Sequence, residues 1–345
     1  MRNSHSSLLY THFSPLTMSS FIFRRLILMV PTLFMISLIS FVIIELPPGD
    51  YMTSYIANRM AMGDDVRQDE IDALVKQYGL DQPAPVRYTK WLGNVLQGNF
   101  GFSFEWQLPV SDLIWERLGL TVVVAFSALI FSWIVGLVIG IFSAVYQYSL
   151  GDYIFTALSF VGLGTPNFML ALIMMWVALA YFGTNISGLF SPEFVDQPWS
   201  FAKFGDMLKH LWAPAIIVGT AGSAGLVRTM RANLLDELSK PYVETGRAKG
   251  LNEIRLVFKY PTRVALNPFV STMGWALPQL VSGSIIVSVV LSLPTTGPLL
   301  LRALLTQDMY LASSFLLMLS TLTIIGTLIS DILLAMLDPR IRIGG

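Results

Sequence analysis

The chain of 345 residues has no cysteine and only three histidines, His5, His12 and His210. The first absence removes disulfides, thiolate metal sites and cysteine nucleophiles together. The histidines have no metal-ligand spacing, so no metal site is expected. Charge is scarce as well: Asp, Glu, Lys and Arg make up 13% of the residues, against about 25% in a soluble domain. Short catalytic signatures are missing too. There is no glycine-rich loop followed by Lys-Ser/Thr, no His-Glu-x-x-His, no Gly-x-Ser-x-Gly and no Cys-x-x-Cys. The sequence therefore predicts no catalytic residue, no ATP site of its own and no bound cofactor, and nothing in it points to nucleic acid.

What is present is apolar and segregated. Hydrophobic residues account for 54% and the mean hydropathy is +0.63. Runs without formal charge lie between Arg117 and Asp152, Asp152 and Glu193, Arg263 and Arg302, and Asp308 and Asp331. Each is long enough for a bilayer-spanning helix, which needs about 20 residues. The pattern predicts an all-α polytopic membrane protein with six transmembrane helices, near 26–46, 118–146, 153–182, 211–230, 264–291 and 310–336. In the fourth, only Leu211 to Val227 is free of charge, and "GTAGSAGLV" is small rather than greasy, as closely packed membrane helices require. Internal prolines are tolerated in spans, and "GLGTPNF" at 162–168 marks either a kink or a break.

The organisation is then a polar tail (1–22), a first transmembrane helix (23–46), an external segment (47–117) and a five-helix core (118–345) containing an internal loop at 231–263. The run after Arg24-Arg25 is too long for a signal peptide and lacks a small-x-small cleavage site, so it reads as a retained span. Met18, just before "SSFIFRRL", is an alternative translation start. Lys/Arg asymmetry sets the orientation. With the N-terminus inside, thirteen of the 22 Lys and Arg fall inside, and both termini are cytoplasmic.

Two carboxylates, Glu45 and Asp331, sit near span ends, where snorkelling or capping explains them. In the external segment, "DEIDALVKQYGL" has amphipathic helical spacing ended by Gly79. Tyr88, Trp91, Phe100, Phe102, Phe104 and Trp106 follow, as an interfacial aromatic belt with local packing or as a docking surface.

The densest charge lies in "YVETGRAKGLNEIRLVFKYPTRVALNP" (242–268). Pro241 suits a first helical turn, Gly250 can end that helix in the left-handed region, and Asn252 can cap the next. Val243, Leu251, Ile254 and Phe258 share one face, predicting two short helices with that apolar side toward the spans and the charged side outward. The competing reading is a polybasic segment on anionic lipid.

"YVETGRAKGLNE" resembles the EAA loop of binding-protein-dependent ABC transporter permeases, in the form of the dipeptide/oligopeptide/nickel class. In that pattern Glu244 takes the Glu position, Thr245 and Gly246 replace the two alanines, and Gly250 is the loop glycine. "FRRLILMVPTLFMISLISF", "YGLDQPAPVRYTKWLGNVLQGNFGFSF", "PVSDLIWERLGLT" and "LDPRIR" are similar to further stretches of the class, in the same order. The resemblance implies a permease subunit in a bacterial or archaeal inner membrane, forming half of a pathway with a second permease subunit. Two ATPase subunits bind the ATP, and an external binding protein delivers peptides or similar small solutes. It further implies that the loop docks on an ATPase subunit through Glu244, Thr245, Gly246, Arg247, Lys249, Gly250, Leu251 and Glu253. Pathway-lining candidates are Pro166, Asn167, Pro278 and Gln279. The alternative is an ion-coupled secondary transporter or channel, which would want an ionisable group at mid-membrane.

Overall fold

The computed structural model describes residues 18–46, 56, 71–72, 75–76, 79, 81–271 and 273–337. Four readings lie wholly or partly outside them: the tail to residue 17, most of the 69–80 helix, the "LDPRIR" ending beyond Leu337 and the side chain of Pro278. Among the described residues the secondary structure is helical, with one isolated antiparallel bridge between Phe102 and Pro109.

The described residues form thirteen named α-helices. They are α1 (Met18–Glu45), α2 (Ala84–Leu96), α3 (Val110–Val145), α4 (Leu150–Gly164), α5 (Asn167–Phe182), α6 (Phe201–His210) and α7 (Trp212–Leu238), followed by α8 (Pro241–Ala248), α9 (Glu253–Lys259), α10 (Pro261–Ser271), α11 (Met273–Val290), α12 (Thr296–Leu305) and α13 (Met309–Leu337). Ile22–Glu45, Val110–Val145 and Met309–Ile329 are each long and apolar enough to cross a membrane. Counting each bent pair as one span brings the total to as many as five. The run 153–182 is not one straight helix, because α4 and α5 meet at 109°. The cause is local: Thr165 is extended before Pro166, as a residue preceding proline prefers, and α5 starts afresh at Asn167. The span placed at 264–291 is carried by α10 and α11, which flank residue 272.

The centre of the bundle is the pair α3 and α7. These helices run parallel at a constant offset of 90 residues, Gly136 facing Leu226 and Gly140 facing Met230. A Cβ on either glycine would come within 2.6 Å of the partner's Cβ, and one on Gly219 within 2.8 Å of the Ala128 carbonyl oxygen. Ser132 Oγ donates to the Gly219 carbonyl at 2.7 Å across this contact. Small residues let the two backbones approach, as in other membrane helix pairs, and the weakly hydrophobic fourth run becomes a helix packed into the core.

The aromatics of α2 and of the stretch after it supply local packing, with Phe102 left exposed. Tyr88, Trp91 and Phe104 are buried between α1, α2, α3 and α13, with Phe41 and Phe315, and the described Ile71 and Val75 pack on the same cluster. Trp91 Nε1 donates to Ser314 Oγ at 3.2 Å, and Tyr88 and Ser37 share a hydrogen bond at 2.9 Å. Asp308, fully buried, accepts from Ser103 Oγ at 2.6 Å and from the Glu105 and Leu311 N–H groups. The expected snorkelling of Glu45 and Asp331 gives way to pairing: Arg87 holds Glu45 at 2.5 Å and Arg25 holds Asp331 at 3.2 Å. Both carboxylates have a cation in reach on a neighbouring helix, a cheaper solution than bending toward water.

Candidate functional site

Residues 239–260 form a compact helix-turn-helix at the end of the bundle where α7 terminates. Pro241 opens α8, where its missing N–H costs no helical bond. The helix closes by donation from the Leu251 N–H to the Gly246 carbonyl and from the Gly250 N–H to the Arg247 carbonyl. This double bond pattern needs a left-handed residue just past the helix, and Gly250 supplies it at φ +74°. Asn252 Oδ1 then accepts from the Ile254 and Arg255 N–H groups at 3.0 and 3.4 Å and starts α9. Arg247 grips Glu253 through Nη2 at 2.6 Å and Nε at 3.1 Å, fastening one helix to the next. That bond holds the Glu253 carboxyl below its usual range and raises Arg247. Thr245 Oγ1 donates to the Pro241 carbonyl, and the Tyr242 hydroxyl to Glu237 at 2.6 Å. Burial, followed by that bond, pushes the Tyr242 phenol up to about 12.

The two glycines play different parts. Gly246 permits close approach, since a Cβ there would lie 2.5 Å from Leu256 Cδ1; around Gly250 the space is open, and only its φ demands glycine. The expected apolar face is turned. Val243 is buried together with Leu256 and Val257, while Leu251, Ile254 and Phe258 stay outside, Ile254 at 71% exposure and Phe258 at 55%. Helical spacing identifies residues that share a face, but the turn at Gly250 decides which face α9 presents. Glu244, Thr245, Arg247, Lys249 and Glu253 are exposed alongside these apolar residues.

A cavity of about 440 Å³ lies between α3, α4, α5, α7 and α11. Asn167 at the start of α5 and Gln279 in α11 both line it, with Ser132 as the remaining polar residue and Ala221, Gly222 and Gly225 as the α7 wall. Pro166 caps α5 at the 109° break that puts Asn167 there.

Sequence reasoning treated Asp152 and Arg231 only as charge markers. Asp152, 2% exposed, receives Arg231 Nη2 at 2.8 Å and Nε at 3.1 Å, and the Tyr148 N–H at 3.0 Å. The bridge ties α4 to α7 just above the helix-turn-helix. The signal was available: Ser149 and Asp152 have capping-box spacing, and Ser149 Oγ does accept from the Asp152 N–H.

Among known proteins, residues 136–343 match the family of binding-protein-dependent transport system inner membrane components, and residues 18–125 match the N-terminal membrane component of such systems. The chain is 36% identical to the oligopeptide transport system permease protein AppB of Bacillus subtilis, over 94% of this chain and 100% of that one. It is 32% identical to the dipeptide transport system permease protein DppB of Haemophilus influenzae, over 94% and 100%. In fold it resembles a chain of the MetNI methionine ABC transporter solved in inward-facing conformations, with a TM-score of 0.53 at 16% identity, covering 66% of this chain and 97% of that one. The extent of these matches, together with a helical bundle carrying a built helix-turn-helix at one end, places the chain in the family of inner-membrane permease components of binding-protein-dependent ABC transport systems.

Proposed function

We propose that the chain forms half of the pathway of an ATP-driven importer for peptides or similar small solutes. It works with a second homologous permease subunit, two ATPase subunits that bind the ATP, and an extracytoplasmic solute-binding protein. The observation that carries this reading is the surface of residues 239–260. A loop clamped by its own caps and by Arg247–Glu253 still leaves Leu251, Ile254 and Phe258 outside. Apolar side chains fixed in water by a rigid frame suit a protein partner, and the charges around them keep such an interface reversible. An ATPase subunit closing on ATP would displace α8 and α9, and through them α7 and the cavity wall.

Peptide cargo is supported by the names of the relatives and by the cavity's chemistry. Its polar lining is hydroxyl and amide, suited to peptide amides whatever their side chains. An ion-coupled carrier or channel would want an ionisable group in that lining, and none of the described lining residues is charged. The basic residues around α8 and α9 favour a cytoplasmic position for that end, six spans and both termini inside a bacterial or archaeal inner membrane.

The test is co-purification with the cognate ATPase and solute uptake in proteoliposomes. The double substitution Ile254→Asp and Phe258→Asp should abolish both while leaving the permease monodisperse. Glu244→Lys should weaken uptake more than assembly. Full assembly with ATP-coupled uptake in the double variant would overturn the reading.

A further inference from the structure

The segment 183–211 is built around α6, whose two sides differ sharply. Lys203, Asp206 and Met207 are buried on one side. Lys203 Nζ donates to the Val195 and Gln197 carbonyls at 3.0 and 2.6 Å and lies over the Phe190 and Trp199 rings. Asp206 accepts from the Ser191 N–H and hydroxyl at 2.7 and 2.8 Å. These bonds fix the rotation of α6 about its axis. The other side carries Phe201, Phe204 and Leu208, at spacings of three and four, and Trp212 extends the row. All four are exposed, Phe201 at 98%. Among the described residues nothing covers this row, although the buried side is elaborately held.

The depth of α6 follows from the α3–α7 register. At the offset of 90 residues, Trp212 lies level with Val122. Glu116 and Arg117 are the last charges of α3 before its long apolar run. Val122 is five residues past Arg117, about 7 Å deeper at 1.5 Å per residue. Helix α6 continues outward from there, tilted 45° from α7. Its ten residues climb about 10 Å along the bundle axis. The helix therefore straddles the level at which α3 passes from charged to apolar. Amphipathic interfacial helices sit at that level, their apolar face sunk about 5–10 Å into the headgroup boundary. The composition agrees: aromatics on the free face, Trp212 at its inner end, and exposed Lys209 on the flank within reach of lipid phosphate.

We propose that α6 is an interfacial membrane helix, with Phe201, Phe204 and Leu208 inserted into the phospholipid headgroup boundary at the end of the bundle opposite α8 and α9. This contact anchors segment 183–211 to the lipid surface.

The absence of cysteine makes the test direct. Phe201→Cys, Phe204→Cys and Leu208→Cys are each spin-labelled in the full chain, co-expressed with its partner subunits in lipid nanodiscs. Collision with dissolved oxygen is compared with collision with a water-soluble nickel chelate. The expected result is oxygen-dominated relaxation at all three, with Leu208 deeper than Phe201 by about 7 Å, seven residues on a helix tilted 45°. Nickel-dominated relaxation at all three would show a water-facing row and overturn the proposal. Exclusion of both agents would show a protein cover and overturn it equally. Because the labelled side chains are exposed, the substitutions leave the Lys203 and Asp206 contacts in place. An Ala202→Cys label reports whether the helix itself has stayed folded.

Discussion

The two ends of the bundle each carry a small folded attachment, and they are stabilised in opposite ways. Around α2 and residues 97–109, the rings go inside: Trp91 and Phe104 are each 1% exposed, and Asp308 and Ser314 supply the polar anchors. Around α8 and α9, polar groups hold the frame with Val243, Leu256 and Val257 inside, while Leu251, Ile254 and Phe258 stay outside. The first arrangement spends its apolar surface on its own stability. The second leaves part of its apolar surface in the open, as the proposed docking role requires.

The comparison is broken most directly by truncating rings. Trp91→Ala or Phe104→Ala should each cost about 3–5 kcal/mol, the usual loss for a fully buried aromatic. Ile254→Ala or Phe258→Ala should change stability by less than about 0.5 kcal/mol, as exposed sites do. Thermal unfolding of the detergent-solubilised chain reads both, and equal losses at the two ends would dissolve the distinction.

Inside the α8–α9 end, the two glycines sharpen it. Gly246→Ala meets Leu256 and should cost about 1–3 kcal/mol through overpacking. Gly250→Ala meets open space but must hold a left-handed backbone, at about 1–2 kcal/mol. Gly250→Asn should recover part of that loss, because asparagine tolerates the left-handed region, whereas Gly246→Asn should recover nothing. Amide exchange across α8 and α9 distinguishes these outcomes.

The smallest effect is that of pH on the Arg247–Glu253 clamp. Glu253 is held below its usual range by Arg247, so the clamp's contribution is present above the ordinary glutamate range. It fades as the pH falls through the lowered value. Both partners are about half exposed, which limits the effect to about 0.2–1 kcal/mol. Faster amide exchange in α9 at acid pH should appear in the native chain and be absent from Arg247→Ala.

Much of the loop was legible in the sequence, because capping is local chemistry. Pro241, Gly250 and Asn252 act through backbone groups one to five residues away, so their roles follow from order alone. The charge-free runs likewise mark apolar helices, since burial in lipid leaves a compositional trace. Direction leaves none. Hydropathy does not say that the helix breaks by 109° beside Pro166, nor that Glu45 faces Arg87 on the neighbouring helix. The inward or outward turn of Ile254 and Phe258, and the burial of Trp91, depend on partners far away in the chain. The Asp152–Arg231 bridge joins positions 79 residues apart, and only its capping half was written locally.

The glycine contacts between α3 and α7 have a mechanical consequence. A shift of one residue along the shared axis would drive a side chain into the Val227 or Ala128 carbonyl, so the two helices slide only as a pair. Helix α7 is unbroken over its 27 residues, about 40 Å of rod. Its lower end leads within two residues into α8, and its middle is the wall of the cavity. The α8 attachment and the cavity wall are thus joined by one continuous helix, with no break along α7 between them.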